Sequence, residues 1–181
     1  MVNTRVQAAL PRRVLAHVEG KSFQIEWLKQ APRGEEVDVV ERSKGGTFML
    51  RISAEGGRWL GTLLCQISMG TTLLGSTFRR EEPNGTITGT VEANGRGDFL
   101  RFVVFNRSEG KFRTICFPAG IKGQGWSLIG SQVRSMLDPK QMEEGEYQAP
   151  FSFLQTSHNN HKMKDLDRVT LRLWGKQQKR N

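Results

Sequence analysis

Val39-Val40-Glu41-Arg42-Ser43-Lys44-Gly45-Gly46-Thr47-Phe48 and Val103-Val104-Phe105-Asn106-Arg107-Ser108-Glu109-Gly110-Lys111-Phe112 follow one pattern. Each has an apolar run, a turn built from Arg, Ser, a charged residue and Gly, and a second run that opens on Phe. A Trp-led amphipathic stretch follows each copy, Trp59 in the first and Trp126 in the second. An internal repeat of this kind fixes the architecture before any single residue does.

Turn chemistry divides the second copy. Asn84-Gly85 and Asn94-Gly95 tolerate positive φ and bracket a stretch rich in Thr, Ile and Val, which predicts a strand over 86–93. Strands are expected at 77–82, 98–106 and 111–117, the last closed by Pro118-Ala119-Gly120. Trp126, Ile129, Val133, Met136 and Leu137 then recur at helical spacing up to Asp138-Pro139, where a residue before Pro disfavours helix.

The first copy repeats this order, with strands expected at 13–18, 22–29, 35–42 and 47–53. Its helix is carried by Trp59, Leu60, Leu63, Leu64 and Ile67 and stops at Gly70. One four-stranded sheet with one helix leaves a face uncovered, so two units must share a core. The predicted fold class is α+β: two tandem β-β-β-β-α repeats, 12–70 and 76–137, intertwined into one domain. Residues 138–164 read as a polar linker, and 165–181 as a basic tail with one lone strand-like stretch, Asp167 to Trp174.

The 181 residues include 36% apolar side chains, enough for one core, and no apolar run approaches a membrane span. Cys65 and Cys116 are too few for a disulfide framework or a metal site, which suggests a reducing, intracellular setting, nuclear or cytoplasmic. The net charge is +9 and the pI about 10.1, favouring a polyanionic partner. Residues 21–137 hold 16 basic and 11 acidic side chains, and 162–181 hold 7 and 2, so the tail carries much of the excess.

Alternation places the chemistry on a face. Along 98–106, Leu100, Phe102 and Val104 share one side, which the following helix is expected to cover, and Phe99, Arg101, Val103 and Phe105 share the other. A hairpin pairing Phe105 with Phe112 turns Ile115 and Phe117 to the first side and Thr114 and Cys116 to the second. Phe99, Phe105 and Phe112 around Arg101 then form a platform for unpaired bases beside a cation for phosphate. Arg96, Arg107, Lys111 and Arg113 complete the candidate nucleic-acid-binding set.

Arg96-Gly97-Asp98-Phe99-Leu100-Arg101-Phe102, with Thr114-Ile115-Cys116-Phe117-Pro118-Ala119-Gly120 before a helix, resembles the repeat of PUR-alpha-type single-stranded nucleic-acid-binding proteins. The related Whirly proteins share the four-strand-plus-helix unit. With Val18-Glu19-Gly20-Lys21-Ser22-Phe23 and the stretch from Gly123 to Trp126, the chain is most similar to the PUR-like amino-terminal module of plant retroelement-derived proteins. The resemblance implies intertwined repeats, sheets that bind single-stranded DNA or RNA, and further association into dimers. The chain departs from that pattern at Asp98, where a basic residue is usual, and in the acidic run Glu35-Glu36-Val37-Asp38.

Enzyme signals are missing. There is no Gly-x-Ser-x-Gly elbow and no Cys/His spacing, and Gly120, Lys122, Gly123 and Gly125 lack the Lys-Ser/Thr pair of a P-loop. His158 and His161 have no thiol or acidic ligand nearby, and Arg96-Gly97-Asp98 reads as a Gly-rich turn. The expected partner is single-stranded DNA or RNA, with a homodimer alongside and neither membrane nor cofactor. The alternative is a non-enzymatic oligomerisation or protein-interaction module in which the same Phe residues are buried against a partner chain.

Overall fold

The computed structural model describes residues 12–138, which run as four strands, a helix, four strands and a helix. The first unit comprises β1 (Arg13–Val18), β2 (Lys21–Ala31), β3 (Gly34–Ser43), β4 (Gly46–Ser53) and α1 (Ala54–Ile67). The second comprises β5 (Thr77–Glu82), β6 (Gly85–Asn94), β7 (Gly97–Asn106), β8 (Lys111–Pro118), a short 3-10 turn (Ile121–Gly123) and α2 (Gln124–Leu137). Each unit folds its strands into an antiparallel meander, ordered β1-β2-β3-β4 and β5-β6-β7-β8. The two-repeat β-β-β-β-α architecture expected from the sequence is therefore present. The stretches assigned to linker and tail beyond Asp138 lie outside the described residues.

Tight turns set the registers. Glu19 and Gly20 both take positive φ, at 49° and 76°, to close β1 on β2. Asn84-Gly85 and Asn94-Gly95 straddle their turns rather than fill them: Glu82 pairs with Gly85 and Asn94 with Gly97, leaving Pro83-Asn84 and Gly95-Arg96 at the tips. Gly85 is required by space, since a Cβ there would run into the carbonyl oxygen of Phe105.

The two copies of the opening pattern match differently from their face-value alignment. β3 and β7 share nearly one rhythm of burial, so Val39 corresponds to Phe102 and Glu41 to Val104, not Val39 to Val103. After the turn Leu50 corresponds to Ile115. The cause is turn length: Ser43 pairs with Gly46 across two residues, whereas Asn106 pairs with Lys111 across four. An alignment run straight through the turn is one residue out on each side, and one residue exchanges the faces of a strand. Phe48 therefore shares the core-facing side of β4 with buried Leu50 and Ile52, while Phe112 points to the opposite, open face of its own sheet.

The first helix begins directly at the end of its strand. Ser53, the last residue of β4, is extended, and its Oγ accepts the Gly56 N–H at 2.9 Å, capping α1 with no loop between. Glu82 of the other repeat seals the same end, accepting the Ser53 N–H at 2.8 Å and the Ser53 hydroxyl at 2.9 Å. The helices cross where glycine allows it: a Cβ on Gly130 would lie 2.8 Å from Cys65 Sγ and 2.9 Å from the Gly61 carbonyl oxygen.

One core serves both repeats. Phe23 of β2 stacks on Phe117 of β8 at 5.1 Å, Phe117 meets Phe102 edge-on at 5.9 Å, and Trp59 of α1 lies 6.3 Å from Phe102. Leu100, Phe102 and Phe117 are thus covered in good part by the first repeat, and not simply by the helix that follows them. Conversely, Gly125 of α2 packs tightly against Val18 of β1, and Trp126 anchors α2 by donating from Nε1 to the Phe117 carbonyl at 2.8 Å. No helix among the described residues is long and apolar enough to cross a membrane.

Candidate nucleic-acid interface

The second sheet has one face on the core and one open, and its register arranges the open face in rows. Glu81, Thr86, Phe105 and Phe112 form one row; Arg79, Thr88, Val103 and Thr114 the next; then Thr77, Thr90, Arg101 and Cys116; and finally Glu92, Phe99 and Pro118. The predicted pairing of Phe105 with Phe112 is the observed one. Their ring centroids lie 4.7 Å apart with 35° between planes. Phe105 is half-buried, whereas Phe112 is 57% exposed.

Phe99 shares this face at the far end of β7, about 20 Å from Phe105 at strand rise. It is half-buried and lies opposite Pro118. The three rings are therefore two sites on one face, a pair and a single ring, with Arg101 and Val103 between them.

The cations differ in availability. Arg101 Nε donates to Glu92 Oε1 at 2.7 Å, so its charge is matched on the face. Arg113, on the core-facing side of β8 but past the end of the core, is exposed and donates to Glu109 Oε2 at 3.0 Å. Arg79 is likewise held by Glu81, at 3.2 Å. Arg96, Arg107 and Lys111 are exposed and have no side-chain partner among the described residues. Arg107 and Lys111 flank the β7–β8 turn beside the Phe105–Phe112 pair, while Arg96 sits at the opposite turn, nearer Phe99. The β7–β8 turn is stiff: Asn106 Oδ1 accepts from the Ser108 N–H at 3.0 Å, the Glu109 N–H at 3.2 Å and the Asn84 amide at 2.9 Å.

Sequence reasoning missed two contributors. Thr86, Thr88 and Thr90 line up along β6 on the open face and offer hydroxyl groups beside the rings. Their signal was Thr at every second position. Glu92, on the neighbouring strand, carries no motif of its own; the structure makes it the partner that occupies Arg101.

Cys116 borders the same surface, half-buried beside Arg101 in the register. Burial pushes its thiol up from the usual range, outweighing the opposite influence of Lys21, with Glu41 and Glu92 adding to the rise. Among the described residues no group of three His, Cys, Asp or Glu side chains is placed to hold a metal.

The open face of the first sheet is different in kind. Leu15, Val40 and Met49 make a mostly aliphatic row with Gln24 in it, and Arg51 is tied to Asp38 at 2.6 Å and lies 3.6 Å from Glu36. Among the described residues it presents no Phe, Tyr or Trp ring, only the exposed His17 imidazole beside Ser22 in the register.

No protein-family model matches the chain, and no curated protein sequence matches it. Among solved structures, the plant transcriptional regulator PBF-2 is similar over 79% of this chain and 99% of its own, with 9% identity and a TM-score of 0.35. WHY1 from Arabidopsis thaliana is similar over 72% of this chain and 90% of its own, with 13% identity and a TM-score of 0.36.

Proposed function

We propose that this chain binds single-stranded nucleic acid, DNA or RNA, on the open face of its second sheet and without catalysis. The observation that carries the proposal is the Phe105–Phe112 ring pair, open to solvent and bordered by the unpaired cations Arg107 and Lys111. An unstacked base needs a flat apolar partner, and the phosphate attached to it needs a cation within a nucleotide's reach. A duplex offers neither its base faces nor the flexibility to follow a sheet, so single strands are the better fit.

On this proposal bases stack at the ring pair and at Phe99, Arg107, Lys111 and Arg96 contact phosphates, and the Thr ladder of β6 supplies hydrogen bonds. Arg101 takes part once it exchanges Glu92 for phosphate, and Arg113 once it releases Glu109. The domain bounded by 12–137 would then be a PUR-like module, the kind found at the amino end of plant retroelement-derived proteins, working inside the cell. The motif from Arg96 to Phe102 and the intertwined repeats support that assignment.

The deciding experiment is a fluorescence-anisotropy titration of labelled single-stranded DNA, single-stranded RNA and duplex DNA at two salt concentrations. Tighter binding of a single strand, weakened by salt and by Phe112→Leu, is expected. Equal binding of duplex and single strand, insensitive to Phe112, would place the interaction elsewhere.

A further inference from the structure

We infer that the first sheet carries a separate site for a compact phosphate group, as free phosphate or a phosphate monoester, at the end bounded by the β1–β2 and β3–β4 turns. There the register joins His17, Ser22, Arg42 and Thr47 into one row of the open face. By the correspondence of the repeats, this is the row that bears Glu81, Thr86, Phe105 and Phe112 in the second sheet. The second repeat has two rings and a carboxylate at these places. The first has a guanidinium, an imidazole and two hydroxyl groups, all of which can donate hydrogen bonds.

The donors are close together and their charge is not spent. Cross-strand neighbours have Cα atoms about 4.5 to 5.5 Å apart, so Ser22 sits between His17 and Arg42 and the two longer side chains can close on one tetrahedral anion beside its hydroxyl. Arg42 donates only to the neutral Gln24 Oε1, at 3.3 Å, which leaves its charge unmatched. Lys44, in the adjoining turn, is exposed and has no side-chain partner among the described residues. Lys21 borders the same recess but is matched by Glu41 at 2.7 Å.

Size and charge select the ligand. The recess has a volume of about 610 Å³, more than a phosphate ion fills, so the group esterified to a phosphate has space beside it. Glu19, at the tip of the β1–β2 turn, is the one carboxylate lining it among the described residues. A polyanionic strand laid across the recess meets that charge, whereas a compact anion seated on Arg42 and Ser22 stays clear of it. A strand also finds no Phe, Tyr or Trp ring on this face to stack a base. The site belongs to the other sheet from the ring pair and does not depend on it.

An amide-resolved NMR titration of the full chain with sodium phosphate, against sodium chloride at equal ionic strength, tests the site. Phosphate should produce saturable shifts confined to the amides around Ser22 and Arg42–Lys44, and chloride should not. Glycerol phosphate in a parallel titration separates the two sources, since tighter binding than phosphate marks a monoester site and weaker binding a site for the free ion. Arg42→Ala combined with Lys44→Ala should raise the dissociation constant about tenfold or more, because charged hydrogen bonds are lost, and Glu19→Gln should lower it. These side chains are exposed, so thermal unfolding should match the parent. Phe112→Leu should leave phosphate binding unchanged, which keeps the outcome separate from that of the ring-pair titration. Equal shifts with phosphate and chloride, a double variant that binds like the parent, or displacement of phosphate by a single strand would overturn the inference.

Discussion

The carboxylate of Glu41 in β3 accepts the backbone N–H of Cys116 in β8 at 3.1 Å, across the boundary between the repeats. Lys21 completes the arrangement, lying 2.7 Å from the other Glu41 oxygen and donating to the Cys116 carbonyl at 3.1 Å. Cys116 is on the outer strand of the second sheet, and its N–H and C=O go to Glu41 and Lys21, so an ion pair from the first repeat satisfies both of its backbone groups. Glu41→Ala should therefore cost about 3 to 5 kcal/mol, because it strands a half-buried ammonium group and a backbone donor together. Glu41→Gln keeps an acceptor and should cost less. Urea unfolding distinguishes them, and equal midpoints for parent and Glu41→Ala would show that the edge needs no such partner.

Because Glu41, Glu82 and the Phe23–Phe117 stack all join the repeats, the halves should not survive apart. Limited proteolysis is expected to leave one resistant fragment near residues 12–137. Two stable fragments separated within 70–76 would contradict a common core.

Most of the strand plan was legible because Gly, Asn and Pro mark turns for reasons that act within a few residues. The open face of β7 was legible too, since alternation needs only the strand. What local chemistry could not give was any relation between elements far apart in sequence. Glu41 looked like one more charge in the repeated pattern, and its burial depends on Lys21 and Cys116 arriving from elsewhere. Arg101 looked like the available cation because Glu92 sits on a neighbouring strand and becomes its partner only through register. Turn length misled as well, since two extra residues after Asn106 hide the true correspondence of Phe48 and Phe112.

Free and occupied cations should respond differently. Arg107→Ala with Lys111→Ala removes two unpaired charges, and the slope of log affinity against log salt should fall by about 1.4 for a single strand. Arg101→Ala should change it less, because Glu92 already offsets that charge. Glu92→Gln should strengthen binding by freeing Arg101. A weaker complex with Glu92→Gln would show that the carboxylate orients the guanidinium rather than competing for it.

Cys116 reports on the same face through its reactivity. With its thiol pushed up by burial, little thiolate exists at neutral pH, so alkylation should be slow there and accelerate as pH rises beyond the ordinary thiol range. Saturating single-stranded oligonucleotide should slow it further, by covering the row that Cys116 shares with Arg101. Cys65, at the helix crossing, serves as the internal reference. Mass spectrometry of the two modified peptides gives the ratio, and equal slowing of both would point to global stiffening instead of coverage.

Gly130→Ala sets two effects against each other. Alanine favours helix by about 1 kcal/mol over glycine, but its Cβ would meet Cys65 Sγ at 2.8 Å and backbone atoms of α1 at 2.9 Å. Those backbone atoms cannot move without parting the helices, and overpacking of this kind costs about 1 to 3 kcal/mol. Net destabilisation is expected in thermal melts. A more stable variant would mean that the helix crossing can loosen.

The three rings offer the sharpest division between binding bases and filling an interface. Replacing Phe99, Phe105 and Phe112 with Leu keeps the face apolar and leaves the core rows of Leu100, Phe102 and Phe117 untouched, so the domain should still fold. If bases stack on the rings, affinity for a single strand should fall by about 1 to 3 kcal/mol for each ring engaged. Phe112→Leu should lose more than Phe99→Leu, because Phe112 is the more exposed ring and has Phe105 to extend its platform. If instead the rings meet a partner chain, the triple variant should shift the oligomer equilibrium and leave binding per subunit unchanged. Loss of folding would defeat both alternatives, assigning the rings to the packing of the sheet itself.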